Sequence, residues 1–149
     1  MLSLEYIAGF FDGEGSIRIN YKGYYNKLPS SLDVRIGQNL KVNAVLHEVC
    51  AMFGGTVIDY KNGYSQWVVT TTKAATFLKT IEPHLYIKRE EALLAIQYQT
   101  YLDSQGQVRG KKLTEWQLAE RLSYYEALME NRYGDSFSSG TLYSTSEVN

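Results

Sequence analysis

The chain has 149 residues, 44% of them hydrophobic and 21% charged, which is long enough to bury one core and requires no second domain. A formal net charge of −1 excludes a uniformly basic nucleic-acid binder, but the charge is uneven: residues 1–89 carry 10 Lys/Arg against 7 Asp/Glu, and residues 90–149 carry 5 against 9. The first element is a helix. Leu4, Ile7, Ala8 and Phe11 recur at helical spacing up to Glu14, and Gly13 and Gly15 supply the break. Glu14 is therefore expected at a helix C-terminus, where the dipole and free carbonyls reinforce a carboxylate and attract a hard divalent cation. Gly9 and Gly13, four apart and joined by Ala8, are expected to leave a bare helix face that a second copy could approach.

Ser16 to Lys22 alternates, with Ile17, Ile19 and Tyr21 on one side and Ser16, Arg18, Asn20 and Lys22 on the other, the pattern of a half-buried strand. Gly23 to Ser31 reads as a long hairpin connection. A second strand follows, in which Leu32, Val34 and Ile36 alternate with Asp33, Arg35 and Gly37. Asn39 can cap a helix whose apolar face is Val42, Val45, Leu46, Val49 and Phe53, ended by Gly54-Gly55. Thr56 to Tyr60 and Tyr64 to Thr71 form a second hairpin around Lys61-Asn62-Gly63. Three helices complete the chain: Lys73 to Ile81, capped by Thr72 and closed by Pro83; Ile87 to Leu102; and Thr114 to Glu130. The acids Glu115, Glu120, Glu126 and Glu130 of the last helix need only form a solvated face. Residues 1–132 are expected to form one domain and the Ser/Thr/Gly-rich 133–149 a disordered tail.

The order aliphatic, small, Gly, two bulky apolar residues, Asp, Gly, acid, Gly in Ile7-Ala8-Gly9-Phe10-Phe11-Asp12-Gly13-Glu14-Gly15, followed at once by a strand, resembles the LAGLIDADG motif of homing endonucleases. The element order resembles that family's α+β fold, an αββαββα core with a four-stranded antiparallel saddle-shaped sheet, over roughly residues 4–102. The last helix is expected to be an appendage. The motif occurs once, so the resemblance implies the homodimeric type, in which Ala8, Gly9, Asp12 and Gly13 form the dimer seam. It implies a site-specific endonuclease that cuts both strands of a long, nearly palindromic site, leaves 5′-phosphates and short 3′ overhangs, and promotes mobility of its host intron. The alternative is an intron-encoded RNA maturase, with intron RNA as partner.

Phosphodiester hydrolysis requires an activated water, charge neutralisation at phosphate and a stabilised leaving oxygen, all of which a divalent metal supplies. Mg²⁺ takes one or two carboxylates with phosphate oxygens and water. Glu14 and the Gly13 carbonyl are the expected ligands, with Mn²⁺ or Ca²⁺ able to substitute in binding. The family usually has Asp at the position of Glu14, and the extra methylene could alter metal placement. By resemblance, Lys88 matches the active-site lysine and Gln38 the glutamine that orients water. An antiparallel sheet fits the major groove. Strand parity selects Ser16, Arg18, Asn20, Lys22, Tyr24, Arg35, Gln66, Val68 and Thr70 as DNA-facing, with Thr56, Ile58 and Tyr60 joining them if Val57 is buried. Arg109, Lys111 and Lys112 form a small basic loop for phosphate or solvent. Cys50 is expected to be a buried structural thiol, and the isolated His47 and His84 argue against zinc. With neither a signal peptide nor an apolar span in view, a location inside the cell is expected, cytoplasmic or in a chloroplast or mitochondrion.

Overall fold

The computed structural model describes residues 1–22, 28–106 and 112–134. Helix α1 (Leu4–Glu14) starts on the Ser3 side chain, which accepts from the Tyr6 amide, and runs without a loop into β1 (Gly15–Lys22). Then come β2 (Leu28–Asn39), a 3₁₀ turn over Leu40–Val42, α2 (Ala44–Phe53), β3 (Thr56–Asp59), β4 (Tyr64–Thr70), α3 (Thr71–Ile81), α4 (Arg89–Ser104) and α5 (Glu115–Tyr133). The four strands form one antiparallel sheet in the order β1-β2-β4-β3. Among the described residues no helix is long and apolar enough to cross a membrane.

Register sorts the side chains into two faces, because residues directly opposite one another share a side. Ile17, Val34 and Val69 make one inward row, and Ile36, Trp67 and Val57 another. Helices cover this face. Phe77 of α3 meets Phe11, Phe53 and Trp67 edge-on at ring separations of 5.4, 4.9 and 4.9 Å, the geometry aromatic quadrupoles favour. The Trp67 indole N–H donates to the Gly54 carbonyl at 2.8 Å, so the buried ring leaves no donor unpaired. At the far end of β3 and β4 the buried Ser65 hydroxyl donates to Asp59 at 2.6 Å, and the Asn43 amide donates to both at 3.2 Å, which ties the hairpin to the start of α2.

Several expectations are corrected. Strand β2 begins at Leu28, so residues 28–31 of the expected hairpin connection are strand, while 23–27 lie outside the described residues. Pairing extends there because β2 carries the extra residue of a bulge, Ser30 and Ser31 standing opposite Asn20 alone, after which Tyr21 pairs with Pro29. Val42 is exposed in the 3₁₀ turn and not on the buried face of α2, which begins at Ala44 after Asn39 accepts from the Lys41 amide. Helix α3 begins at Thr71, not Lys73, with Thr71 itself at φ 53°. Ile87 precedes α4 in an exposed segment. Cys50 is half-buried, its thiol 3.5 Å from the Gly55 carbonyl.

Helix α5 is no appendage. It opens on a reciprocal cap between Thr114 and Gln117 and buries Leu128 and Met129 in the common core. Its Arg121 donates to the Pro29 carbonyl at 2.9 Å, and Arg132 bridges the Ile17 carbonyl and the Glu91 carboxylate. The helix thus packs against β2 and ties one carbonyl of the edge strand β1. The expected tail lies, from residue 135 onward, outside the described residues. Leu128→Ala should cost about 2–5 kcal/mol, the range for emptying a buried leucine site. Urea unfolding should show a single transition shifted to lower denaturant; an unchanged midpoint would mean α5 folds apart from the core.

Candidate nucleic-acid interface and acidic site

The outward face of the sheet is built from three cross-strand rows. Ser16, Arg35, Val68 and Thr56 lie across one; Arg18, Asp33 and Thr70 across a second; Gly37, Gln66 and Ile58 across a third. The structure therefore brings the sequence-selected residues Ser16, Arg18, Arg35, Thr56, Ile58, Gln66, Val68 and Thr70 onto one surface. Asn20 continues it, Lys22 is exposed at the strand end, and Tyr60 is exposed just past β3 with Val57 half-buried. Tyr24, Arg109 and Lys111 lie outside the described residues, and Lys112 is exposed.

Asp33 organises this face, and parity alone gave it no role. It is only 2% exposed although it points outward, because arginines lie over it. Arg35 donates to its two carboxylate oxygens through Nε at 2.7 Å and Nη2 at 3.0 Å. The Arg18 guanidinium stands 3.6 Å away, and the Asn20 amide donates at 3.3 Å. Burial pushes the Asp33 carboxyl up, but the hydrogen bonds from Arg35 and Asn20 and the charges of Arg35 and Arg18 more than reverse this and hold it below its ordinary value. The same bond to Asp33 raises Arg35 above its own. Arg35 also donates through Nη1 to the Gln66 carbonyl at 3.0 Å, and Tyr60 donates to that oxygen at 3.4 Å. The two arginines are thus not free cations; they share an acid, and the nearby signal in the sequence was an aspartate two residues before Arg35 on the same strand face.

At one end of the sheet, Glu14, Gln38 and Asn39 line an open cleft of about 380 Å³ with Gly37, Asn62, Gly63 and Tyr64. Glu14 is exposed and makes no hydrogen bond or ion pair among the described residues. Gln38 accepts from the Asn39 amide through its carbonyl at 2.9 Å, leaving its NH₂ group available to the cleft. Tyr64 was missed from sequence. Its ring lies over Gly37, where a Cβ would run into the hydroxyl, and stacks at 5.9 Å on Tyr60.

Lys88 reaches the same helix end by a different route. The Asp12 carboxylate accepts from the Tyr86 amide at 2.9 Å and the Lys88 amide at 3.0 Å, and Lys88 Nζ donates back to the Asp12 carbonyl at 2.6 Å. Asp12 is therefore spent within its own chain, holding the Lys88 segment against α1 two residues before Glu14. Ala8 also departs from the expected seam: it is fully buried in its own core. Gly9 and Gly13 are exposed, with open space where side chains would be. The segment that Asp12 holds carries Tyr86 and Ile87, 91% and 71% exposed.

An unpartnered carboxylate at a helix end, a lysine clamped behind it and a polar antiparallel sheet beside it make up the site, and the comparisons show which family has this fold. The profile of the LAGLIDADG endonuclease family matches residues 7–86, more than half the chain. The chain belongs to that family. Its fold is similar to the homing endonuclease I-CvuI in complex with its target in the presence of Ca, with 19% identity and a TM-score of 0.67 over 91% of this chain and 83% of that one. It is also similar to the archaeal intron-encoded homing endonuclease I-Vdi141I complexed with DNA, with 18% identity, 86% and 82% coverage and a TM-score of 0.67. I-SmaMI bound to cleaved DNA gives 16% identity and a TM-score of 0.70, but the match covers 87% of this chain and only 45% of that one. No curated protein sequence matches.

The lowered Asp33 value has a consequence for stability. A group whose folded pKa lies below its unfolded value contributes stability above about pH 4, and this is lost as pH falls through the folded value. Wild-type stability should therefore rise as pH increases from acid toward about 4, and Asp33→Asn should flatten that rise. Thermal melts of both proteins across pH 2–7 check this; parallel curves would remove Asp33 from the account.

Proposed function

We propose that this chain is the subunit of a homodimeric, divalent-metal-dependent DNA endonuclease that cuts both strands of a long, nearly palindromic site and promotes mobility of its host intron. The observation that carries this is the Glu14 carboxylate, unpaired and opening with Gln38 into one cleft at the end of a sheet whose outward face carries Arg18, Arg35, Asn20 and Gln66.

The site suits a hard cation. Among the described residues no group of three or more His, Cys, Asp or Glu side chains surrounds a metal position, and Mg²⁺ asks for little more than one carboxylate from each of two subunits with phosphate oxygens and water. Glu14 and the Gly13 carbonyl would hold it, and the bound ion would polarise the phosphate and lower the pKa of water. The Gln38 amide, lining the same cleft, orients the attacking water toward phosphorus. Lys88, fixed by Asp12 at the end of α1, supports the negative charge that builds on the phosphate oxygens. Support for DNA as substrate comes from the family and from relatives crystallised on DNA, one of them cleaved; no observation here favours the maturase.

One Glu14 per chain serves one strand, so double-strand cleavage calls for two copies. The exposed Gly9 and Gly13 of α1, with Tyr86 and Ile87 of the segment that Asp12 holds, make the seam in place of the buried Ala8.

Glu14→Gln should lower double-strand cleavage at least ~1000-fold while leaving binding within a few-fold, since it removes charge at the cleft and nothing from the sheet. Plasmid cleavage beside gel-shift binding measures both; cleavage near wild-type rate would displace the metal from Glu14. Wild type should sediment as a dimer at micromolar concentration and Ile87→Asp as a monomer. A monomeric wild type that still cuts both strands would overturn the seam.

A further inference from the structure

Resting on the reading of the sheet as a DNA-binding face, we infer that Asp33 is a specificity-determining positioning residue: it locks Arg35 so that the guanidinium presents one fixed edge to a guanine in each half-site. Of the five N–H groups of an arginine, Asp33 occupies the side edge, through Nε and Nη2, and Gln66 occupies one on Nη1. One N–H on each terminal nitrogen is left, and two such donors are what guanine O6 and N7 accept in the major groove. The Arg35 side chain is 27% exposed and Asp33 3%, so the carboxylate is covered while part of the arginine side chain still reaches solvent.

Preorganisation is the reason the acid belongs there. An unrestrained arginine loses rotamer freedom on contacting a base and can turn to a phosphate instead, which strengthens binding at every sequence. Held on both carboxylate oxygens, Arg35 cannot follow the backbone without leaving a buried acid short of its main partner. Arg18 is the looser cation: its side chain is 47% exposed and stands 3.6 Å from Asp33. Held by one long contact, it can turn toward a phosphate while Arg35 keeps the base.

The test uses the full-length protein and a library of randomised duplex DNA, selected in Ca²⁺ at fixed salt, with every variant first checked by thermal melting. Wild type should enrich a two-fold-related motif. Arg35→Ala should lose the guanine preference at one position per half-site, by ~10-fold or more. Asp33→Asn should weaken that same column, leave the others in place, and raise binding to unrelated duplex, because one negative charge is gone. In the Arg35→Ala background, Asp33→Asn should change no column further. Asp33→Glu keeps the charge but displaces the fork, and should weaken the same column; it serves in place of Asp33→Asn if the latter does not fold. A motif unchanged in both Asp33 variants, or loosened equally at all positions, overturns the role of Asp33 alone. A wild type that enriches no motif overturns the DNA-reading face itself and this inference with it.

Discussion

Helix α1 passes into β1 with no loop between Glu14 and Gly15, and the packing of Phe11 makes that possible. The Phe11 ring lies against Gly15 where any Cβ would collide with it. Because the ring is fully buried and meets Phe77 beneath the sheet, the helix axis and the strand direction are set by one aromatic contact. Two consequences follow from the missing loop. The last residue of the helix, Glu14, stands at the end of the sheet with the helix carbonyls behind it. The strand begins in register with β2, Gly15 opposite Ile36, so the cleft and the outward rows belong to one rigid frame. A flexible connection would let acid and sheet move independently, and catalytic groups misplaced by even about 1 Å lose much of their effect.

Charge is arranged by the same economy of parts. The chain carries a net −1, yet its sheet face holds two arginines within reach of each other. Placed alone, like charges at that spacing repel and invite phosphate binding at any sequence. The buried carboxylate of Asp33 between them lowers the repulsion and leaves the face polar, with its cations directed. In the proposed reading of this face as the DNA-binding surface, a dense positive field is unnecessary, since recognition would rest on shaped hydrogen bonding more than on bulk attraction. Asp12 works similarly at the other end of the site. Its carboxylate satisfies two backbone amides of the Tyr86–Lys88 segment, which has no helix or strand of its own there, and this brings a lysine 76 residues away in sequence to the motif helix.

Much of the fold was legible because its elements are amphipathic with clean periods. Ile17 and Ile19, Leu32 to Ile36, and Trp67 with Val69 alternate as buried strand faces, and the structure pairs them as rows of one sheet. The motif helix and its terminal acid were legible for the same reason. Local pattern failed where a neighbour decided the outcome. Residues 28–31 look like a turn by composition and become strand because a bulge at Ser30-Ser31, opposite Asn20, lets Pro29 pair with Tyr21 of β1. Ala8 reads as part of a small-residue face, but helix rotation is set by Ile7 and Phe11, and it turns Ala8 into the core beside them. Helix α5 reads as a polar addition, and two arginine contacts with distant strand carbonyls, one buried and one part-buried, join it to the sheet.

The amino-acid sequence by itself determined the element types, the two sheet faces and the position of Glu14, because periodicity and glycine breaks act within a few residues of chain. Only tertiary structure decided which of the exposed polar groups are free. Arg35 and Asp12 look alike in sequence to any solvated charge. Whether each is available or already committed depends on groups brought beside it by pairing and packing, Gln66 across the sheet in one case and the Lys88 segment in the other. Electrostatic partners are chosen by distance in space, and linear sequence carries no measure of that distance until the core has formed.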